Sequence, residues 1–260
     1  MAVVWRAQDC NASLNLEPQT GLARIRHERM PGKRTSGRCL DAHGYRDAPA
    51  DLALGSGDLR CGRESKLKPG SRTLAFNKPY GVLPCFTDAK RRPTLADFVA
   101  IPEVYAAGRL DLDSEGLMVL TSDGTLAHQI TDPLHKLPKV YLAQVERIPS
   151  DEALARLREG ILLNRHRTRP AEVRLLPAIP ELPDRPVPIR FRKSVPTAWL
   201  EITLREGLNR QVRRMTAAVG HPTLRLVRIA IGPIALGDLQ PGQGRELTKS
   251  EIAQIYRARR

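Results

Sequence analysis

The segment GLMVLTS, residues 116–122, is short, almost continuously apolar and partly β-branched. That is the pattern of a buried strand. An acid-rich loop, GRLDLDSEG at 108–116, runs straight into it. Asp111, Asp113, Glu115 and Gly116 fall at positions one, three, five and six of an EF-hand loop. A calcium loop of that kind also needs a bidentate carboxylate at position twelve and a helix on each side. Position twelve is Ser122, and a strand follows where a helix is required. The acids therefore need a different chemistry, and no metal site is expected.

The rest of the chain mixes strands and helices without strict alternation, which favours an α+β fold. TLAFN at 73–77 reads as a strand, and Lys78-Pro79-Tyr80-Gly81 as a turn with proline at its second position. PTLADFV is a short helix capped by Thr94, and a strand is expected near 104–107. Ser122 or Asp123 can cap a helix through Ile130, and KVYLAQVER at 139–147 alternates as a strand. Ser150 opens a helix that ends near Gly160; AEVRLL and AWLEITL are further strands. Asn209 is the expected cap of a helix to Val219, with Val212, Met215 and Val219 on its apolar face. TLRLVRIAIG is another strand, and Thr248 with Glu251 forms a capping box for the last helix. Residues 1–72 have weak periodicity and many turn formers, so a disordered basic extension is expected there, with one folded domain over 73–260.

Lys and Arg number 42 against 28 Asp and Glu, a net charge of 42 − 28 = +14. That balance favours an anionic partner, most plausibly nucleic acid. Aromatic residues make up only 4% of the chain, which argues against a module that stacks many bases on an aromatic sheet. The same scarcity counts against a sugar-binding cleft for glycoside hydrolysis. No apolar run reaches membrane-spanning length, and the first residues lack the apolar stretch of a signal peptide. The four cysteines form no CxxC pair, so zinc is not expected and a reducing, cytosolic compartment fits.

Two stretches carry candidate chemistry. Arg109 precedes Asp111 by two residues, so in an extended segment both side chains share a side. An adjacent arginine keeps an aspartate ionised, and an ionised aspartate in a pocket can be a nucleophile. By itself, an aspartate in a loop between strands is more often a turn-former. In REGLNRQVRRM, Arg210, Arg213 and Arg214 stand at i, i+3 and i+4 and share one helical face, suited to phosphate or carboxylate contact. A solvated cationic face is the simpler account of that stripe. Between residues 177 and 196 a proline-rich basic insertion carries Arg190, Arg192 and Lys193; it is a surface loop or an RNA-contacting arm.

AFNKPYGVLP, AAGRLDLDSEGLMVLTSDG, KVYLAQVE, REGLNRQVRRM and GHPTLRLVRIAIGP occur in this order over about two thirds of the chain. Together they resemble the ribosomal small-subunit type branch of the RNA pseudouridine synthases, and most of all its large-subunit ribosomal RNA pseudouridine synthase E group. Most members of the branch carry an N-terminal S4-type RNA-binding domain. None is evident in residues 1–72, as in the E group.

The resemblance implies a mixed, largely antiparallel sheet with flanking helices and a central RNA-binding cleft. It implies conversion of a specific uridine to pseudouridine in ribosomal RNA, most plausibly 23S RNA, without cofactor or metal. Small-subunit RNA or transfer RNA is the alternative substrate, and a non-catalytic RNA-binding protein is the other alternative. Asp111 would be the nucleophile, attacking C1′ or C6. Tyr141 would stack on the base and assist loss of the C5 proton. Arg213 would pair with the aspartate, and Arg109 would position it or a phosphate. Lys78 would touch phosphate or fix its turn, and Arg210, Arg214, Arg190, Arg192 and Lys193 would contact RNA. No apolar stripe is left over for a partner, so a monomer is expected.

Overall fold

The computed structural model describes residues 70–132, 137–189 and 194–258. The expected disordered extension therefore lies, but for residues 70–72, outside the described residues. One mixed sheet organises the rest. Its strands are β1 (Thr73–Lys78), β2 (Tyr105–Ala106), β3 (Glu115–Thr121), β4 (Lys139–Glu146), β7 (Glu172–Leu175), β8 (Thr197–Leu204), β9 (Thr223–Ile231), β10 (Ile234–Ala235) and β11 (Gly244–Glu246). They run in the order β11-β1-β3-β9-β4-β8-β7, with β2 added to β3 and β10 to β9. The short β5 (Leu162–Leu163) and β6 (His166–Arg167) pair separately. Every pairing in the main sheet is antiparallel except that of β3 with β9. Among the described residues there are four α-helices: α1 (Gly124–Thr131), α2 (Asp151–Glu159), α3 (Gln211–Ala218) and α4 (Lys249–Arg257).

The apolar run that began the reading is the reason the sheet is covered on both sides. All seven positions of β3 are buried. Met118 and Leu120 point into a core that includes Leu154 and Leu157 of α2 and Val212 and Met215 of α3. Leu117 and Val119 point into a second core with Leu126 and Ile130 of α1 and Ile252 and Ile255 of α4. A strand alternates its side chains between faces, so an apolar residue at every position requires a core on each.

Helix starts follow local capping chemistry. Asp123 accepts from Thr125 N at 2.9 Å and Leu126 N at 3.3 Å; Ser150 accepts from Ala153 N at 3.3 Å. Thr248 and Glu251 cap α4 reciprocally, at 2.8 and 3.2 Å. PTLADFV gives only a 3-10 turn, Leu95–Asp97, whose Asp97 carboxylate accepts from Thr94 N at 2.7 Å. At α3 the cap is Arg210, not Asn209. Arg210 stands in the left-handed region, φ 49 and ψ 37, and its side chain does not cap the helix. Its guanidinium has another partner, described below.

Two residues next to the acidic loop set how close the strands come. Gly116 has φ +102, and a Cβ there would lie 2.3 Å from the backbone oxygen of Arg228. Only glycine lets β3 approach β9 this closely. Beside it, Glu115 is buried and takes the Arg225 guanidinium in two hydrogen bonds of 3.1 and 2.9 Å. Arg225 also donates to Pro183 O at 2.8 Å, which fixes the start of the proline-rich insertion. The described parts of that insertion form no helix or strand. Arg185 within it lies 4.1 Å over the Tyr80 ring.

Lys78 ends β1 fully buried, its ammonium donating to Pro79 O at 2.8 Å and Val82 O at 2.7 Å. It holds the Pro79–Gly81 turn from inside, and Gly81 N in turn donates to Leu112 O at 2.9 Å, joining the turn to the acidic loop. Burial lowers the Lys78 pKa to about 8, with Glu115, Asp113 and Asp111 opposing the shift.

Two consequences are measurable. Gly116→Ala forces either strand separation or backbone strain and should lower stability by about 3 kcal/mol or more, read as the urea midpoint. For Lys78, the folded state holds its proton less tightly than the unfolded chain. Its contribution to stability is therefore lost at low pH and gained as pH rises from about 8 towards the ordinary 10.5. Over that window the stability difference between Lys78→Met and the parent chain should shift in the parent's favour, in paired urea titrations at successive pH values.

Candidate active site

The acidic loop forms one wall of a cavity of about 440 Å³. Lys139 and Tyr141 of β4, Arg228 of β9 and the segment from Leu204 to Val212 supply the others. The loop is held by its own carbonyls. Ser114 N donates to Asp111 O at 3.1 Å, closing a turn. Arg228, buried at 3% exposure, donates from Nε to Leu117 O at 2.8 Å and from Nη1 to Arg109 O at 3.3 Å. Arg213 donates from Nη2 to Asp113 O at 2.6 Å and from Nη1 to Thr223 O at 3.1 Å. Arginine suits this use because its planar fork carries five donors and keeps its charge.

The loop's acids have different environments. Glu115 is spent on Arg225. Asp113 receives Arg210 in a bidentate pair, 2.8 Å on each oxygen, with Arg213 Nε 3.4 Å away. The Arg210 hydrogen bonds, ahead of any other cause, hold the Asp113 carboxyl below the usual carboxylate range. Asp111 has only a looser contact, its Oδ2 3.5 Å from Arg210 Nη1, and its carboxylate faces the cavity. Each loop acid thus meets an arginine, and no cluster of three His, Cys, Asp or Glu suited to a metal occurs among the described residues.

The residues singled out from sequence divide into several groups. Asp111, Arg109, Tyr141 and Arg210 all line the cavity. Tyr141 is buried on β4, with its ring against the first core. Arg109 is exposed at the rim and forms no ion pair among the described residues. Arg213 sits behind the wall and pairs with Asp113, so the aspartate it engages is not Asp111; Arg210 is the nearer cation to Asp111. Arg214 is half-buried on α3 and does not line the cavity. The three arginines do not form one helical stripe, because Arg210 precedes α3 in a left-handed conformation. Lys78 cannot meet a phosphate where it stands, since its ammonium is buried on two carbonyls. Arg190, Arg192 and Lys193 lie outside the described residues.

Two cavity residues were not singled out. Arg228 carries a legible signal: a charged residue inside the apolar run TLRLVRIAIG. Lys139 looked like the polar start of a strand. It lines the cavity, and burial first, then the positive charge of Arg228, lower its pKa to about 8.

Comparison with known proteins gives this geometry a context. A family profile described as RNA pseudouridylate synthase matches residues 72–218. A ribosomal large subunit pseudouridine synthase E from Xanthomonas campestris is 60% identical over 174 residues, 66% of this chain and 93% of that one. Its counterpart in Vibrio parahaemolyticus is 46% identical over 231 residues, 88% of this chain and 94% of that one. A solved structure described as a pseudouridylate synthase superposes with a TM-score of 0.58 at 32% identity, covering 71% of this chain and 74% of that one. With the sheet, the cavity and these matches in agreement, the chain belongs to the RNA pseudouridine synthase family, in the branch that includes the E-type large-subunit enzymes.

Proposed function

We propose that this enzyme converts one uridine of large-subunit ribosomal RNA, 23S RNA, to pseudouridine, with Asp111 as nucleophile and no cofactor. The names of its E-type relatives support the substrate. The observation that carries the chemistry is the contrast within the loop: Asp113 is taken up by a bidentate pair with Arg210 and does not line the cavity, while Asp111, only loosely paired, lines it together with Tyr141.

The reaction breaks the bond from uracil N1 to ribose C1′, turns the base and joins C5 to C1′, after which C5 loses its proton. Asp111 attacks C1′ or C6. Tyr141, from the cavity wall, stacks on the base, and its hydroxyl assists removal of the C5 proton. The target uridine must leave its stack to enter, at a cost of about a few kcal/mol. Phosphate contacts from Arg109 at the rim, and from Arg214, offset that cost. Arg210 from the cavity wall and Arg213 from behind it hold Asp113 and the loop in position, so that Asp111 is aimed before RNA arrives. The enzyme works as a monomer in the cytoplasm. No helix among the described residues is long and apolar enough to cross a membrane, and the large exposed apolar side chains there, such as Tyr105, Ile148 and Ile179, belong to separate segments.

The test is tritium release from RNA labelled at uridine C5, with large- and small-subunit RNA assayed separately. The parent protein should release tritium from large-subunit RNA, and Asp111→Asn should release none. Release from small-subunit RNA alone would reassign the substrate; equal release by Asp111→Asn would remove Asp111 from the chemistry. A second expectation concerns the clamp. Asp113→Asn loosens Arg210 and should slow single-turnover release by about a hundredfold while RNA binding is retained. Binding by filter retention and rate by rapid quench separate the two effects.

A further inference from the structure

Lys139 is a weakly partnered cation. It lines the cavity, and burial opposes its charge, yet its ammonium makes one long hydrogen bond, 3.4 Å to Leu137 O, and no ion pair among the described residues. Arg228, which also lines the cavity, is a second cation whose charge disfavours that of Lys139. Lys78, a fully buried lysine beside the site, differs: two carbonyls at 2.7 and 2.8 Å and three nearby acids account for its charge. Two like charges facing one cavity repel, and a group that becomes negative between them is stabilised.

Their position says what enters. Lys139 and Tyr141 are two residues apart on β4 and both face the cavity, about 7 Å apart along the strand. Arg228 is the cross-strand neighbour of Tyr141. A uracil lying on the Tyr141 ring therefore presents an edge to Lys139 and Arg228.

We propose that Lys139, together with Arg228, is a catalytic residue that stabilises negative charge on uracil O4 during the reaction. The proposal rests on the isomerase reading above. Both routes open to Asp111 place charge there. If Asp111 Oδ bonds to C1′, the C1′–N1 bond breaks and its electron pair passes to N1, delocalised onto O2 and O4. If Asp111 Oδ bonds to C6, the C5–C6 π pair moves toward C4 and O4 becomes an enolate oxygen. In neither case is a proton lost or gained by Lys139; it donates a hydrogen bond that strengthens as O4 becomes negative. Besides Arg228, the charged groups lining the cavity with Lys139 are Arg109 and Asp111 of the loop, Asp132 after α1, and Arg205, Glu206 and Arg210 after β8.

The experiment is single-turnover tritium release from C5-labelled large-subunit RNA, with RNA affinity measured in parallel, for the full chain and its Lys139→Met and Lys139→Arg variants across pH 6 to 10. Lys139→Met should lose about a hundredfold or more in rate with RNA affinity unchanged. The parent rate should fall as pH rises through about 8, and that fall should move to higher pH in Lys139→Arg. The pH comparison keeps the proposal testable should Lys139→Met fold poorly, and it separates Lys139 from Lys78, which titrates in the same range. Equal losses of rate and affinity would make Lys139 a phosphate contact and overturn the proposal, as would an undiminished Met variant or an unmoved alkaline limb. No release by the parent protein overturns the isomerase reading itself, and this inference with it.

Discussion

The parallel contact of β3 with β9 is the constraint on which the rest depends. It spans only Glu115 opposite Val227 and Gly116 opposite Arg228. At that point backbone meets backbone across a gap that no side chain can occupy. The closeness lets Arg228, from β9, reach past the strand to Leu117 O and on to Arg109 O. The sheet's tightest joint and the anchor of the acidic loop are therefore one feature. A loop that must present a carboxylate within a fraction of an ångström gains from being fastened to the least deformable part of the core.

Charge in this protein is largely a means of holding carbonyls and carboxylates in place. Arg213, Arg225 and Arg228 each donate to backbone oxygens of segments more than 40 residues away or directly across the sheet, and Arg210 grips Asp113. Removing one partner from such a pair would leave a poorly solvated charge, which is a larger penalty than the pair's own net stabilisation. The arrangement also sorts the acids. Equivalent on paper, Asp111, Asp113 and Glu115 become a cavity-lining carboxylate, a clamp and a core ion pair through the arginines that face each of them.

Sequence patterns showed those parts of the fold that local physics decides. β3 and β4 could be read from apolar content and alternation, and α1, α2 and α4 from their caps, because each signal lies within a few residues of its effect. β10 and β11 were not legible: at two and three residues they have no period, and they exist because β9 and β1 offer edges. The partner of Glu115 lies 110 residues away, and that of Asp113 97 residues away. No local pattern encodes such pairs. The same limit misplaced the cap of α3. Asn209 is the better capping residue, but the bidentate pair to Asp113 draws Arg210 into a left-handed conformation that capping preference alone disfavours. For the site, the motifs put Asp111 and Tyr141 at the cavity, whereas Lys139 and Arg228 emerged only when β4 and β9 were seen side by side.

The net charge of +14 then needs a second interpretation. Taken from composition, it measured attraction to a polyanion. In the folded domain, Lys78 and Arg228 are buried, Arg213 and Arg225 nearly so, and all four face inward. These cations add to the long-range field that draws RNA in, but most of their donors hold carbonyls and carboxylates of the protein itself. Under the proposed function, direct phosphate contact falls to the exposed ones, such as Arg109. Salt should therefore weaken RNA capture more than it disturbs the loop, since buried ion pairs are screened far less than charges in solvent. The composition that suits an RNA-directed protein thus serves two ends at different depths: outside it attracts a polyanion, and inside it fixes the loop whose Asp111 lines the cavity.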